Sequence, residues 1–194
     1  MAAFGGCLVI LLVAAFFLAI WAIWRYNNLV SLRNQVANGW KQIDVQLKRR
    51  HDLIPNLVSA VKGEMQFEQD TLEKVIQARN AAASAHGVAD AAGKENALTQ
   101  TLSRLFALAE NYPNLKANES VKSLMEELSS TENRIGFARQ FYNDIATRYN
   151  TAQQIFPDNF IARTFKFQPV ELFEIQDASE RAVPKVDLSL RPSS

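Results

Sequence analysis

Phe4–Trp24 carries no charged residue and ends directly on Arg25. A helix needs roughly 20 apolar residues to cross the hydrocarbon core of a bilayer, so this run predicts a transmembrane helix. No linker rich in Gly, Pro or Ser follows it. Instead Leu32, Val36, Trp40, Ile43 and Leu47, then Ile54, Val58, Val61 and Met65, recur at steps of three and four, interrupted only across Arg50–His51. That spacing places them on one helical face. The pattern therefore predicts an anchor that runs without a joint into the next segment. Pro55 lacks an N–H and crowds the preceding turn, which predicts a kink near Asp52–Pro55. Gly63 marks a second weak point.

Beyond it, Leu72, Val75, Ile76, Arg79 and Ala82 or Ala83 form a narrower stripe and predict a helix over residues 66–85. The small residues Ala89–Gly93 read as a turn, and Leu98, Leu102, Leu105, Ala109 and Tyr112 predict a third helix over residues 94–111, ended or bent by Pro113. The fourth pattern is the most regular. Leu124, Leu128, Thr131, Ile135, Ala138, Tyr142, Ile145, Tyr149, Ala152 and Phe156 alternate steps of four and three, a heptad seam that predicts a helix over residues 119–155, stopped by Pro157. A short helical piece over residues 158–164 follows. Phe160, Phe165, Phe167 and Phe173 then suggest an extended strap, which could cover the bundle end, the reading favoured by nearby Glu171 and Glu174, or enter a membrane. From Arg181 onward little is left to bury.

The chain is thus expected to be all-α: one N-terminal transmembrane helix continuous with a long antiparallel bundle of about four helices, closed by an extended C-terminal strap. Residues 1–3 are a short tail, 4–24 the span, 25–167 the bundle, and 168–194 the strap and tail. The 194 residues allow one such domain beyond the anchor.

Charge adds orientation. Lys+Arg number 21 against 20 Asp+Glu, so no net field would draw in nucleic acid. Arg25, Arg33 and Lys41 follow the span before the first acid, Asp44. The positive-inside rule then puts the N-terminus outside and the bundle in the cytoplasm; a periplasmic bundle is the alternative. Trp21, Trp24 and Tyr26 suit the headgroup level. The lone Cys7 excludes an internal disulfide, and it precedes the apolar stretch that a lipid-attachment site would need in front of it. The run lacks a basic n-region and a small-residue cleavage site, which argues against a signal peptide.

Sites of chemistry are sparse. His51 and His86 lack the spacing for a zinc helix, and no phosphate-binding Gly loop or nucleophile elbow occurs. Glu126, Glu127 and Glu132 read as a solvated helix face. Lys48-Arg49-Arg50 is expected to pair with acids on a neighbouring helix, since it lies roughly 36 Å beyond the anchor. No cofactor, metal or catalytic residue is expected. The candidates are structural or partner-docking: Asp44, Arg49, Asp52 and Asn56 around Pro55, with Trp40 nearby; Asn111, Tyr112, Pro113, Asn114 and Asn118 at the later break; Glu132 and Arg134, whose guanidinium needs a partner if buried and would then set register; and Tyr142 with Asn143. Asn and Asp bond backbone groups freed at helix breaks, so capping is the first reading and partner docking the second.

Three blocks carry a resemblance. Gly39-Trp-Lys-Gln-Ile-Asp-Val-Gln-Leu-Lys-Arg-Arg-His-Asp-Leu-Ile-Pro-Asn-Leu-Val with Val61-Lys-Gly is one, and Leu105-Phe-Ala-Leu-Ala-Glu-Asn-Tyr-Pro-Asn-Leu-Lys-Ala-Asn is another. The third is Thr131-Glu-Asn-Arg-Ile-Gly-Phe-Ala-Arg-Gln-Phe-Tyr-Asn-Asp, followed by Tyr149-Asn and Phe156-Pro. In this order, over about Trp24 to Phe167, they resemble the bacterial LemA family. The resemblance implies one transmembrane helix, a helical bundle and no defined activity. Members often accompany membrane metalloproteases of the HtpX type, and a relative acts in magnetosome membrane formation. The sequence departs from the pattern at Lys166, where Gly is usual, and at Met65, where Tyr is common. The expectation is a non-enzymatic scaffold in the bacterial inner membrane. Its partners are the lipid bilayer, further copies of itself, and a membrane metalloprotease or other envelope protein; the alternative is an adaptor for that protease.

Overall fold

The computed structural model describes residues 2–63, 65 and 68–174, with side chains from Val9 onward. Among them six helices and no strand occur: α1 (Ala2–Val61), α2 (Gln69–Ala83), α3 (Val88–Ala109), α4 (Pro113–Ala117), α5 (Glu119–Ala152) and α6 (Asp158–Thr164). α1 has 60 residues, about 90 Å at 1.5 Å each. Its Val9–Ile20 stretch is apolar and exposed along its whole length. It is the one described helix long and apolar enough to cross a membrane.

α1 and α5 lie antiparallel as the long pair, and α2 and α3 form a shorter hairpin over the distal half. Three apolar layers stack along α1. The distal one joins Ile54, Leu57 and Val61 to Leu72, Val75, Leu98, Leu102, Leu105 and Leu128. The middle one joins Val36, Ile43 and Leu47 to Ala91, Ala92, Ile135, Tyr142, Ile145, Tyr149 and Phe173. The third, beside the apolar span, joins Leu29 to Ala152, Ile161 and Ala162, with Trp21, Ala22 and Tyr26 packed against it. Here α6 reaches both sides of the join between span and bundle. Arg25 Nε stands 3.1 Å from Asp158 Oδ1, and Tyr26 stacks on Phe165 at 4.7 Å. The anchor is therefore continued by an unbroken helix and braced from outside.

α1 runs through Pro55 without a break and ends near Gly63. Proline leaves the carbonyl four residues back without its helical donor. That carbonyl belongs to His51, and Arg79 Nε on α2 donates to it at 3.0 Å. The capping expected from Asp44, Asp52 and Asn56 comes instead from Arg79. Those three residues are exposed.

Two boundaries also differ. The expected turn at Ala89–Gly93 is the first part of α3, because Ala91 and Ala92 are buried in the middle layer, where their small side chains allow close approach. The heptad seam is buried or half-buried from Leu124 to Ala152, but α5 stops there, and Phe156 is 86% exposed rather than in the seam. Asn118 caps α5 as expected: its Oδ1 accepts from the N–H groups of Ser120 and Val121. Pro113 opens α4, where a missing N–H costs nothing.

α6 ends in a Schellman turn. The Phe167 N–H donates to the Ala162 carbonyl and the Lys166 N–H to that of Arg163, with Lys166 at φ 55°. This left-handed position favours glycine. Lys166→Gly is expected to raise stability by about 1 kcal/mol, the larger backbone freedom of unfolded glycine offsetting part of the gain. Chemical denaturation of the two chains checks this, and a lower midpoint for the glycine variant would refute it.

Candidate functional site

The stripe on α1 breaks at Arg50–His51 because a polar layer separates the distal and middle apolar layers. Arg50, 1% exposed, pairs through its two terminal nitrogens with Glu95 of α3 and Glu132 of α5. One of them also donates to Thr99 Oγ1 at 3.0 Å, the other to the Glu95 carbonyl at 3.1 Å. His51 Nε2 lies 2.7 Å from Glu95 Oε1. A single guanidinium thus ties three helices at one height. A charge this deep is tolerated only with partners, and its misalignment by a turn would leave it unpaired. Arg49 reaches Glu127 at 2.6 Å on the outside. Arg49 and Arg50 of the basic cluster therefore pair with neighbouring acids as expected, but Glu127 and Glu132 are not a merely solvated face. Register belongs to Arg50, not to Arg134, which is exposed.

A cleft beside this layer is lined by Trp40, Asp44, Asp52, His51, Arg79 and Glu95, so three of the singled-out residues share one wall with three that were not. No group of three or more His, Cys, Asp or Glu side chains among the described residues is placed to hold a metal.

The middle of the α1–α5 pair holds the strap. Asn143 accepts from the Phe173 N–H at 2.8 Å and donates to the Phe173 carbonyl at 3.1 Å. Asn150 does the same for Val170, at 2.9 and 2.8 Å. Seven helical residues rise about 10.5 Å and three extended residues about 10 Å, so the two clasps are in step. Between them the Tyr142 hydroxyl donates to the Glu171 carbonyl at 2.8 Å. Trp40 packs against both Tyr142 and Phe173, and Arg139 lies over the Phe173 ring at 4.8 Å. Burial raises the Tyr142 phenol above its ordinary 10.0, with the Glu171 charge adding to the shift. Burial also raises Tyr149, opposed by Arg33. Phe167 thus packs at the bundle end beside Tyr26 as expected, Phe173 covers the middle of the bundle instead, and Phe160 and Phe165 stay exposed. Asn150 escaped the sequence reading because a surface Asn on a helix gives no sign of an extended partner 20 residues on.

Another part of the α1–α5 pair is bare. Val45, Phe137 and Phe141 are 61%, 74% and 46% exposed. They line a shallow trough with Ala138, edged by Lys41 and Arg134. At the distal break, Asn111, Pro113 and Asn114 are exposed, while Tyr112 is half-buried with its hydroxyl 3.4 Å from Glu68.

The LemA family profile matches residues 39–188. The chain belongs to the LemA family. The match takes in the polar layer, the seam of α5 and both Asn clasps. Among curated relatives, Protein LemA of Metamycoplasma hominis is 28% identical over 85% of this chain and 74% of its own length. Magnetosome protein MamQ of Magnetospirillum gryphiswaldense is 24% identical over 87% of this chain and 72% of its own. Magnetosome protein MamQ 2 of Paramagnetospirillum magneticum is 23% identical over 82% and 68%. With its apolar span, this LemA-family chain is a membrane-associated helical protein.

Proposed function

We propose that this LemA-family chain is a non-enzymatic scaffold that self-assembles at the membrane through the bare face of the α1–α5 pair. The trough of Val45, Phe137 and Phe141 carries this reading. Contiguous exposed apolar side chains edged by cations mark interaction surfaces in soluble domains. A rigid α1 supports the same reading, since a continuous helix holds the trough of every copy at the same distance along the helix from the span, as lateral assembly requires. The His51–Glu95 pair supports a structural role over a catalytic one, because Glu95 is 4% exposed and engaged by Arg50. Relatives named as magnetosome proteins fit an organising role.

Cysteine at position 137 in a Cys7→Ser chain is the test. A membrane-permeant thiol oxidant added to cells is expected to give a disulfide-linked Phe137→Cys dimer, with Asp52→Cys giving none. A purely monomeric Phe137→Cys chain, with no other protein captured, argues against the reading. For location, Arg25, Arg33 and Lys41 favour the bacterial inner membrane with the N-terminus outside and the bundle in the cytoplasm. A reporter fused after Ser194 is expected to read cytoplasmic, and a periplasmic signal reverses the assignment.

A further inference from the structure

The segment from Ile155 to Lys166 exposes four large apolar side chains close together in sequence. Phe156 is 86% exposed, Phe160 71%, Phe165 56% and Ile155 50%. Its height is fixed by its contacts. Asp158 meets Arg25, Phe165 meets Tyr26, and Ile161 and Ala162 share a layer with Leu29, against which Trp21 and Ala22 pack. A span over 4–24 that fills a core of about 30 Å ends near Trp24. α6 therefore stands at the boundary between acyl chains and headgroups, at the height of Ile23 and Trp24, which are themselves 60% and 62% exposed. The charges agree. Asp158 is the one acid between residues 155 and 167, and it is buried against Arg25. Arg163 and Lys166 are exposed. Lys166 holds a left-handed φ of 55° that glycine would adopt without strain. Aromatic side chains flanked by cations are the composition of a segment that lies in the interface plane.

We infer that Ile155–Lys166 is a second membrane contact, with Phe156 and Phe160 dipped into the leaflet that α1 leaves and Arg163 and Lys166 against lipid phosphates. Resting on α1 as a spanning helix, this makes the bundle stand on two points. A single helix leaves tilt free, whereas a foot braced to the same helix fixes it.

The test uses the full chain, Cys7→Ser, in vesicles of phosphatidylcholine and phosphatidylglycerol, with a polarity-sensitive fluorophore on one cysteine at a time. The positions are Phe160→Cys, Phe156→Cys, Val13→Cys in the span and Ser129→Cys on the distal, exposed part of α5. Phe156 and Phe160 are exposed, so labelling leaves the core intact. Lipids with a quencher high on the acyl chain are expected to cut emission at 156 and 160 roughly twofold, an apolar face sinking about 5–10 Å into this boundary. Emission at 129 stays unchanged. Water-like, unquenched emission at both positions overturns the inference while quenching at 13 keeps the span. Blue-shifted emission that lipid quenchers do not touch also overturns it, assigning the patch to a second copy or another protein. Lack of quenching at 13 overturns the spanning helix and the foot together.

Discussion

Arg50→Met lowers the stability of the folded bundle by about 3–5 kcal/mol, the usual cost of removing one member of a buried ionic cluster. The loss comes less from the contacts of Arg50 than from what remains. Glu95 stays 4% exposed with only His51 beside it, and Thr99 and Glu132 lose the group that held them. A second change therefore separates the two contributions. Arg50→Met combined with Glu95→Gln is expected to recover a substantial part, because a neutral amide keeps a hydrogen bond to His51 without an unpaired charge. Chemical denaturation of the full chain in detergent, followed by far-UV circular dichroism, measures both. A single variant within about 1 kcal/mol of the parent, the range of an exposed pair, would show that the polar layer does not hold the three helices.

The second large effect concerns the strap. Asn143→Ala with Asn150→Ala removes four hydrogen bonds to the backbone of Phe173 and Val170. At about 0.5–1.5 kcal/mol net for each, the expected cost is about 2–6 kcal/mol, enough to release residues 168–174. The seat of Phe173, 2% exposed against Trp40 and Tyr142, then opens to water. Limited proteolysis reads this directly: cleavage within 168–174 should become rapid while the α1–α5 core resists. Unchanged cleavage would mean that apolar packing alone holds the strap. Alkali should act on the same contact. The folded-state pKa of Tyr142 lies above the ordinary 10.0, so its contribution is complete below pH 10 and is lost as pH rises through the raised value. Ionised Tyr142 can no longer donate to the Glu171 carbonyl and brings a buried charge. Tyr142→Phe should weaken the strap at neutral pH yet remove its contribution to the alkaline loss.

Much of the fold is legible in the chain because period and burial agree. The stripe from Leu32 to Met65 and the heptads from Leu124 to Ala152 are core positions, and the uninterrupted join after Trp24 is helical. The gap in the stripe at Arg50–His51 is legible, and so is the pairing of the basic run with acids on a neighbouring helix. The burial of Arg50 and the identity of its partners are not, because Glu95 and Glu132 lie 45 and 82 residues away. The α3 start was hidden because Ala and Gly signal a turn locally, whereas here close packing at Ala91 and Ala92 decides. Pro55 shows the same limit. Its local penalty is plain, but the donor that relieves it, Arg79, comes from another helix. Of the docking candidates, Trp40, Tyr142 and Asn143 meet at the strap, whereas Arg134 edges the bare trough with residues that no periodicity marks as a surface.

Those residues bear on the central claim, that a rigid anchor presents a face for self-assembly. Its most direct test is the number of copies in one lipid nanodisc, read by native mass spectrometry of the full-length protein. Discs large enough for several chains are expected to hold two or more associated copies of the parent. Single copies are expected for Phe137→Ser with Phe141→Ser, whose exposed positions leave the core untouched. Strictly single copies of the parent at every loading would contradict the account.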